Sequence, residues 1–366
     1  MFQKEKIFIK SLFCWIIFWS FMVFFLNFFI SPVYTNVANK KIKCTADNCL
    51  GNLKQAKKDG LLDDDTLTNL NLSLDQNGNL KQDQNKEKLL NHLNLISKNN
   101  LISYKISLYY YYKPSNNNNW IIFVHGISSD WTSSFLYSQF ALKKKYNFVV
   151  FDSFGVDKNL KDSFGNLGSD GFGYPTFGAY EQYDINSIVN WINSKSSNPQ
   201  IGIFGLSMGA ATSLIYLKNF YSKENSIKFL FSDASYANTV NEMKHVLKEM
   251  FPLPWFFIVP GASLYMKLFF SYSPYDVNPS NLRNHTDLPY ISFIHGTNDN
   301  FVPFSNFNKL FKDYWRINRN WSTQTLQYSS FLEYGADHAN DLQWNKKNGN
   351  KFFNFLESAS EVFFKN

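Results

Sequence analysis

From Leu101 onward the chain falls into short apolar runs separated by stretches of mixed polarity. Trp120-Ile121-Ile122-Phe123-Val124, Phe148-Val149-Val150-Phe151, Ile201-Gly202-Ile203-Phe204, Phe229-Leu230-Phe231 and Tyr290-Ile291-Ser292-Phe293-Ile294 carry almost no polar residue. A strand reads this way when both of its faces are covered. Between the runs, helical spacing recurs over 133–145, 178–195, 210–221, 303–314 and 346–364. Tyr104 to Tyr112 and residues 324–332 read as further strands. Strands alternating with helices predict an α/β architecture, with a mostly parallel central sheet and helices on both faces. One stretch breaks the rhythm. Residues 236–288 are aromatic, broken by proline and only partly helical, as expected of a short cap inserted between strands.

The first hundred residues follow another pattern. Ser11 to Ile30 is 20 residues without a charge. At about 1.5 Å per residue a helix of that length spans roughly 30 Å, the thickness of a bilayer core. The residues after it offer only Ala38 as a small exit residue, with Asn36 in a poor position for signal cleavage, so an uncleaved signal anchor is expected over a cleaved signal. Lys4, Lys6 and Lys10 abut the span, whereas Lys40, Lys41 and Lys43 lie about ten residues beyond it. That bias predicts a cytoplasmic terminus over residues 1–10, a single-pass span at the cell membrane, and a large domain outside the cytoplasm. Residues 31–100 are rich in Asn, Lys, Asp and Gln and read as a polar spacer, partly helical and partly flexible. Within it, Ser73 to Gln84 has a calcium-loop rhythm, but its ends are Ser and Gln, where the ion needs carboxylates. The main domain is therefore expected at 101–366.

Composition narrows the function. The net charge is +7, but the lysines are dispersed among acids and form no basic stripe, so nucleic acid is not an expected partner. The cysteines are Cys14, in the apolar span, and Cys44 and Cys49, which are either one small disulfide or two free thiols. Neither a metal nor a cofactor is implied.

The chemistry gathers around Gly205-Leu206-Ser207-Met208-Gly209, placed between an apolar strand and a helix that starts with Ala210-Ala211. A Gly-x-Ser-x-Gly in that position is a nucleophile elbow, a turn so tight that the flanking residues must lack bulk. A serine needs a base, and the base needs an orienting acid. In this fold they follow the serine in the order acid, then histidine. Of His245, His285, His295 and His338, only His338 lies in a polar loop after a late strand, in Gly335-Ala336-Asp337-His338-Ala339-Asn340. Among the acids, Asp299 follows an apolar strand at its C-terminal end, where α/β active sites gather. Asp233 is the second choice, and Asp337 reads as a loop-bracing acid. Two backbone N–H donors complete the set: Met208, next after the serine, and Ile127, in the loop after an early strand. His125 reads as a brace for that loop.

Taken together, the VHG at 124–126, GLSMGAA at 205–211, IHGTNDNFVP at 294–303 and GADHAN at 335–340 resemble the α/β-hydrolase superfamily, and within it the serine aminopeptidase-like group. The chain is similar to bacterial membrane-anchored members of that group, and FSDASYANTVNEM at 231–243 shares in the likeness. The resemblance covers 101–366. It implies Ser207 as nucleophile, Asp299 as acid, His338 as base, and Ile127 and Met208 as backbone donors. The expected activity is hydrolysis of an ester, thioester or amide through an acyl-serine intermediate, on a small-molecule or lipid-like acyl substrate, with no cofactor. Two alternatives stand beside it: a catalytically silent fold serving as a surface binding protein, and an acyltransferase. The chain departs from its relatives at Ser153-Phe154-Gly155-Val156, where many carry an Arg-Gly-His-Gly-like turn.

Overall fold

A computed structural model describes residues 53–99, 101–114, 117–127, 129–156, 162, 164, 166–171, 175–222, 226–249, 255–280, 288–315 and 322–365. The apolar stretch 11–30, the three cysteines and His285 lie outside them. Among the described residues no helix is long and apolar enough to cross a membrane.

The described chain opens with two short helices, α1 (Leu53–Lys58) and α2 (Asp64–Asn69), and a hairpin of β1 (Leu72–Leu74) and β2 (Leu80–Gln82). It then enters the main sheet through β3 (Leu90–Lys98), β4 (Ser103–Tyr111) and β5 (Asn119–Val124). Helices α3 (Trp131–Tyr137) and α4 (Gln139–Lys143) lead to β6 (Asn147–Phe151). Next come α5 (Glu181–Lys195), β7 (Gln200–Leu206), α6 (Met208–Phe220) and β8 (Ile227–Asp233). An insertion carries α7 (Thr239–Glu249) and α8 (Trp255–Phe270). The chain closes with β9 (Tyr290–Gly296), α9 (Ser305–Trp315), α10 (Thr323–Leu326), β10 (Ser330–Glu333), α11 (Asp341–Lys347) and α12 (Lys351–Lys365).

The main sheet runs β10-β9-β8-β7-β5-β6-β4-β3. Every pairing from β10 to β6 is parallel, and β4 and β3 add an antiparallel edge. Strand β5 has β6 on one side and β7 on the other, so the chain direction reverses there. Such a switch point opens a crevice at the C-terminal ends of the strands, where α/β ligands bind. Both faces are covered, which explains the unbroken apolar runs. On one face Ile121, Phe123, Phe148, Val150, Phe204 and Phe231 share a core with Phe135 and Phe140 of α3 and α4 and with Phe352, Leu356 and Phe363 of α12. On the other face Trp120 turns toward α5, where its ring nitrogen donates to the Ser196 hydroxyl at 3.1 Å.

Thr239–Asp276, with α7 and α8, forms a compact unit of its own, and the other described residues form the second. Within the small unit the Lys244 ammonium lies 4.7 Å from the ring centre of Trp255, which ties the two helices together.

Three expectations are corrected. Residues 53–98 are not a spacer. Leu53, Leu61, Leu62, Leu67, Leu70, Leu72, Leu80 and Leu90 are buried in the same core as Phe135 and Phe140, and β3 is the outermost strand of the main sheet. The folded domain therefore begins well before residue 101. The acidic run also has a local use: the Asp63 side chain caps α2 by accepting from Thr66 N at 2.7 Å. The loop with a calcium rhythm is the β1–β2 turn, in which Asp75 accepts from Asn77 N and Asn79 N at 2.8 and 2.9 Å. The Asn79 amide holds the Asp75 carboxyl below the usual carboxylate range. Second, 324–332 is not one strand: Ser322 caps the short α10, and β10 starts only at Ser330. Third, the final helix is two helices, because Gly349 and Asn350 both take positive φ, at 69° and 61°.

Leu70 is fully buried. Leu70→Ala is therefore expected to cost about 2–5 kcal/mol in urea unfolding, as a cavity in a packed core does. A change within about 0.5 kcal/mol, as at a surface site, would mean that residues 53–89 contribute no core.

Candidate active site

The site is built on the C-terminal ends of β5, β7 and β9. Ser207 stands between β7 and α6 with φ 54° and ψ −116°, a conformation that costs a non-glycine residue on the order of 1–3 kcal/mol. The surroundings enforce it. Ser207 N donates to the Asp233 carbonyl at 2.7 Å, which holds the turn to β8. A methyl group on Gly209 would lie 2.2 Å from the Val124 carbonyl oxygen, and one on Gly205 would lie 2.7 Å from Ala210 Cα. Both glycines of the motif are thus demanded by close backbone approach. On the β5 side, a methyl group on Gly126 would come within 3.4 Å of Ser207 Cβ, so that loop borders the serine. His125 braces it: its Nδ1–H donates to the Gly126 carbonyl at 2.7 Å and its Nε2 accepts from Ser153 N at 3.0 Å. Burial holds His125 below the usual histidine range, in keeping with a neutral ring.

Ser207, Asp299 and His338 come together from three parts of the chain. The Ser207 hydroxyl lies 2.9 Å from His338 Nε2, and His338 Nδ1 lies 2.7 Å from Asp299 Oδ2. A carboxylate only accepts, so the pattern assigns the ring proton to Nδ1 and leaves Nε2 as the acceptor for the serine hydroxyl. The other Asp299 oxygen accepts from Phe301 N and Val302 N at 3.0 and 2.8 Å. A fully buried carboxylate is thereby given three donors. Asp337 braces the loop, accepting from His338 N at 2.8 Å. Met208 is the first residue of α6, and Ile127 follows Gly126 in the loop after β5. The first N–H groups of a helix have no partner within it.

The other candidates lie elsewhere. His295 is near the array, 3.5 Å from Asp299 Oδ2, but its Nε2–H donates to the Val302 carbonyl at 2.9 Å. Burial pulls it below the usual histidine range, with Asp299 acting in the opposite sense. His245 sits on α7. Reading the sequence for charged groups passes over the apolar wall of the site. Met208, Ala211, Tyr236 and Val302 form a cluster that Ile127 and Phe301 join, and the Phe301 ring is centred 4.9 Å from that of His338. Its signal in the chain was the FVP that follows Asp299. A surface depression of about 450 Å³ bordered by Ile96 and Trp191 includes none of these residues.

A parallel sheet with a switch point, a strained strand-to-helix serine and a histidine after the last strand define an α/β hydrolase. The chain belongs to that family: residues 119–334 match the family described as alpha/beta hydrolase fold. The uncharacterized protein YqkD of Bacillus subtilis (strain 168) is similar, with 26% identity over 204 residues, 56% of this chain and 62% of that protein. The chain thus matches less than two thirds of that relative's length. Among solved structures, the Pyrococcus furiosus esterase Pf2001 superposes with a TM-score of 0.51 at 19% identity, covering 73% of this chain and 92% of the esterase. A second crystal form of that esterase gives 0.52 at 17% identity, covering 75% and 90%. At these identities the superpositions speak for the fold.

Three acids lie buried behind the site. Asp233 ends β8, Glu333 ends β10 and Asp341 begins α11, so the last two bracket the loop that carries His338. Asp233 is thus not the partner of the histidine. As carboxylates, Asp233 and Glu333 have no hydrogen-bond donor among the described residues. As carboxylic acids each donates to Asp341, which also accepts from the Tyr137 hydroxyl at 2.9 Å. Burial first, and then the charge of Asp341, holds Asp233 and Glu333 well above the usual carboxylate range. The folded state therefore keeps protons that the unfolded chain releases above pH ~4.5. This contribution to stability is full below that pH and is lost as pH rises toward the folded-state values. Glu333→Gln keeps a donor for Asp341 but cannot ionise. Its melting temperature relative to the native chain is expected to rise between pH 5 and pH 9 by at least ~2 °C, the shift that about 1 kcal/mol produces at this size. A difference constant across that range would mean that Glu333 is charged in the fold.

Proposed function

We propose that the chain is a serine hydrolase that cleaves a carboxylic ester, and by the same chemistry a thioester or amide, through an acyl-serine intermediate. One observation carries the reading: Ser207, His338 and Asp299 stand in a continuous hydrogen-bonded line at 2.9 and 2.7 Å, with the far oxygen of Asp299 anchored by two amides. In the proposed reaction His338 Nε2 takes the hydroxyl proton as Ser207 Oγ bonds to the substrate carbonyl carbon. The carbonyl oxygen becomes an anion, and the N–H groups of Met208 and Ile127 receive it. Asp299 holds the imidazole in the working tautomer and offsets its charge. The imidazolium then gives its proton to the leaving group as the scissile bond breaks. Water repeats the sequence: its oxygen bonds to the acyl carbon as His338 takes its proton, the acyl–oxygen bond to Ser207 then breaks to release the acid, and the proton returns to Oγ. The wall of Ile127, Met208, Tyr236 and Phe301 favours an apolar acyl group beside the serine. That favours small or lipid-like acyl esters, in keeping with the esterase among the fold neighbours. Residues 11–30 are read as a membrane anchor, which puts the enzyme at a bilayer surface.

Ser207→Ala and His338→Ala are expected to lower hydrolysis of p-nitrophenyl esters by about 10⁴–10⁶-fold, and combining them is expected to cost little more than either alone. Ser207→Ala is also expected to abolish labelling by a fluorophosphonate probe. Labelling that persisted would place the reactive group elsewhere, and a folded native chain that turned over no ester of any chain length would favour a silent binding role.

A further inference from the structure

The insertion between β8 and β9 carries a helix whose surface is unusual for a chain in water. Helix α8, Trp255–Phe270, holds one charged residue in 16, Lys267, and no acid. Phe256, Pro260, Leu264 and Leu268 follow one another at four-residue spacing, which places them along one side of the helix. Leu264 is 57% exposed and Leu268 69%, with Phe256 and Phe269 also exposed. Trp255, at the end where the helix begins, is exposed as well. Scattered apolar residues on a surface are ordinary, but an apolar stripe along a whole helix marks a contact.

The chain itself names the occupant. The uncharged stretch 11–30 is followed by only 22 residues, 31–52, before the described fold begins. Fully extended, they reach at most ~80 Å. A bilayer that takes up 11–30 is thus always close to the rest of the molecule. A 16-residue helix is about 24 Å long, too short to cross a hydrocarbon core of roughly 30 Å. Too short to span, apolar along its exposed side and with a tryptophan at one end, it suits a helix sunk part-way into the interface. We infer that α8 is a second membrane contact, which beds its Phe256–Leu268 stripe into the headgroup and acyl boundary of the bilayer that holds the N-terminal span. The inference rests on the reading of 11–30 as an anchor.

The test uses the full-length chain with Cys14, Cys44 and Cys49 replaced by serine. A nitrobenzoxadiazole fluorophore is attached through Leu264→Cys or Leu268→Cys, and melting is checked against the unlabelled protein. The chain is reconstituted into vesicles of phosphatidylcholine and phosphatidylglycerol, with or without nitroxide groups on the acyl chains. At both positions the emission is expected to shift to the blue and to be quenched about two-fold or more by the nitroxide lipid, as for a probe at the acyl boundary. A chain that sediments with the vesicles while both probes keep their aqueous emission and show no nitroxide quenching would overturn the docking of α8 and leave the anchor standing. A chain that stays in the supernatant would overturn both.

Discussion

Helix α6 approaches strand β5 so closely that no side chain fits between them. At Gly209 the helix backbone lies against the carbonyl groups of Val124 and His125, and at Gly205 the strand lies against the first turn of the helix. Ser207 sits between these contacts with φ 54°, a backbone region that side chains rarely adopt. The strain is met by the rest of the sheet: Ser207 N is fixed to Asp233, and β5, β7 and β8 hold one another in register over most of their length. Because the loop after β5 is held by the same approach, Gly126 borders the serine. The position of the serine is thus a consequence of one packing constraint.

Around that constraint the polar groups are sorted by how they are satisfied. Asp299 is buried and has three donors, two backbone amides and the His338 ring. Asp233 and Glu333, equally buried, have none and keep their protons. Asp233 and Glu333 end β8 and β10, and Asp299 follows β9 between them, yet their roles separate according to the amides that face them. His125 and His295 are likewise held by backbone carbonyls, which leaves His338 as the ring turned toward the serine.

The parts of the fold that could be read from the chain were those whose physical cause is local. Strands covered on both faces show as unbroken apolar runs, and a backbone that tolerates no Cβ shows as Gly205 and Gly209. The order of Ser207, Asp299 and His338 followed from the topology that those runs imply, and the three residues do meet. What escaped the reading was set by distant contacts. The leucines of 53–90 lie in turns or, apart from β3, on elements of six residues or fewer, too short to show a period, and they are buried through a core shared with α3, α4 and α12. The pairing of Asp233 with Asp341 joins residues more than a hundred positions apart, and nothing near either one announces it. Phe301 was visible as an aromatic, but its place against His338 depends on how two loops meet.

Strand β3 has a consequence for how the molecule lives among its own copies. It pairs with all nine residues of β4, which ends in the aromatic run Tyr109-Tyr110-Tyr111. Without β3, that row of backbone donors and acceptors becomes an open edge, the kind of surface on which a second chain adds itself as a strand. With β3 in place the sheet ends instead on a strand of mixed polarity, Leu90-Asn91-His92-Leu93-Asn94-Leu95-Ile96-Ser97-Lys98, and the tyrosine-rich strand is kept one place in from the edge.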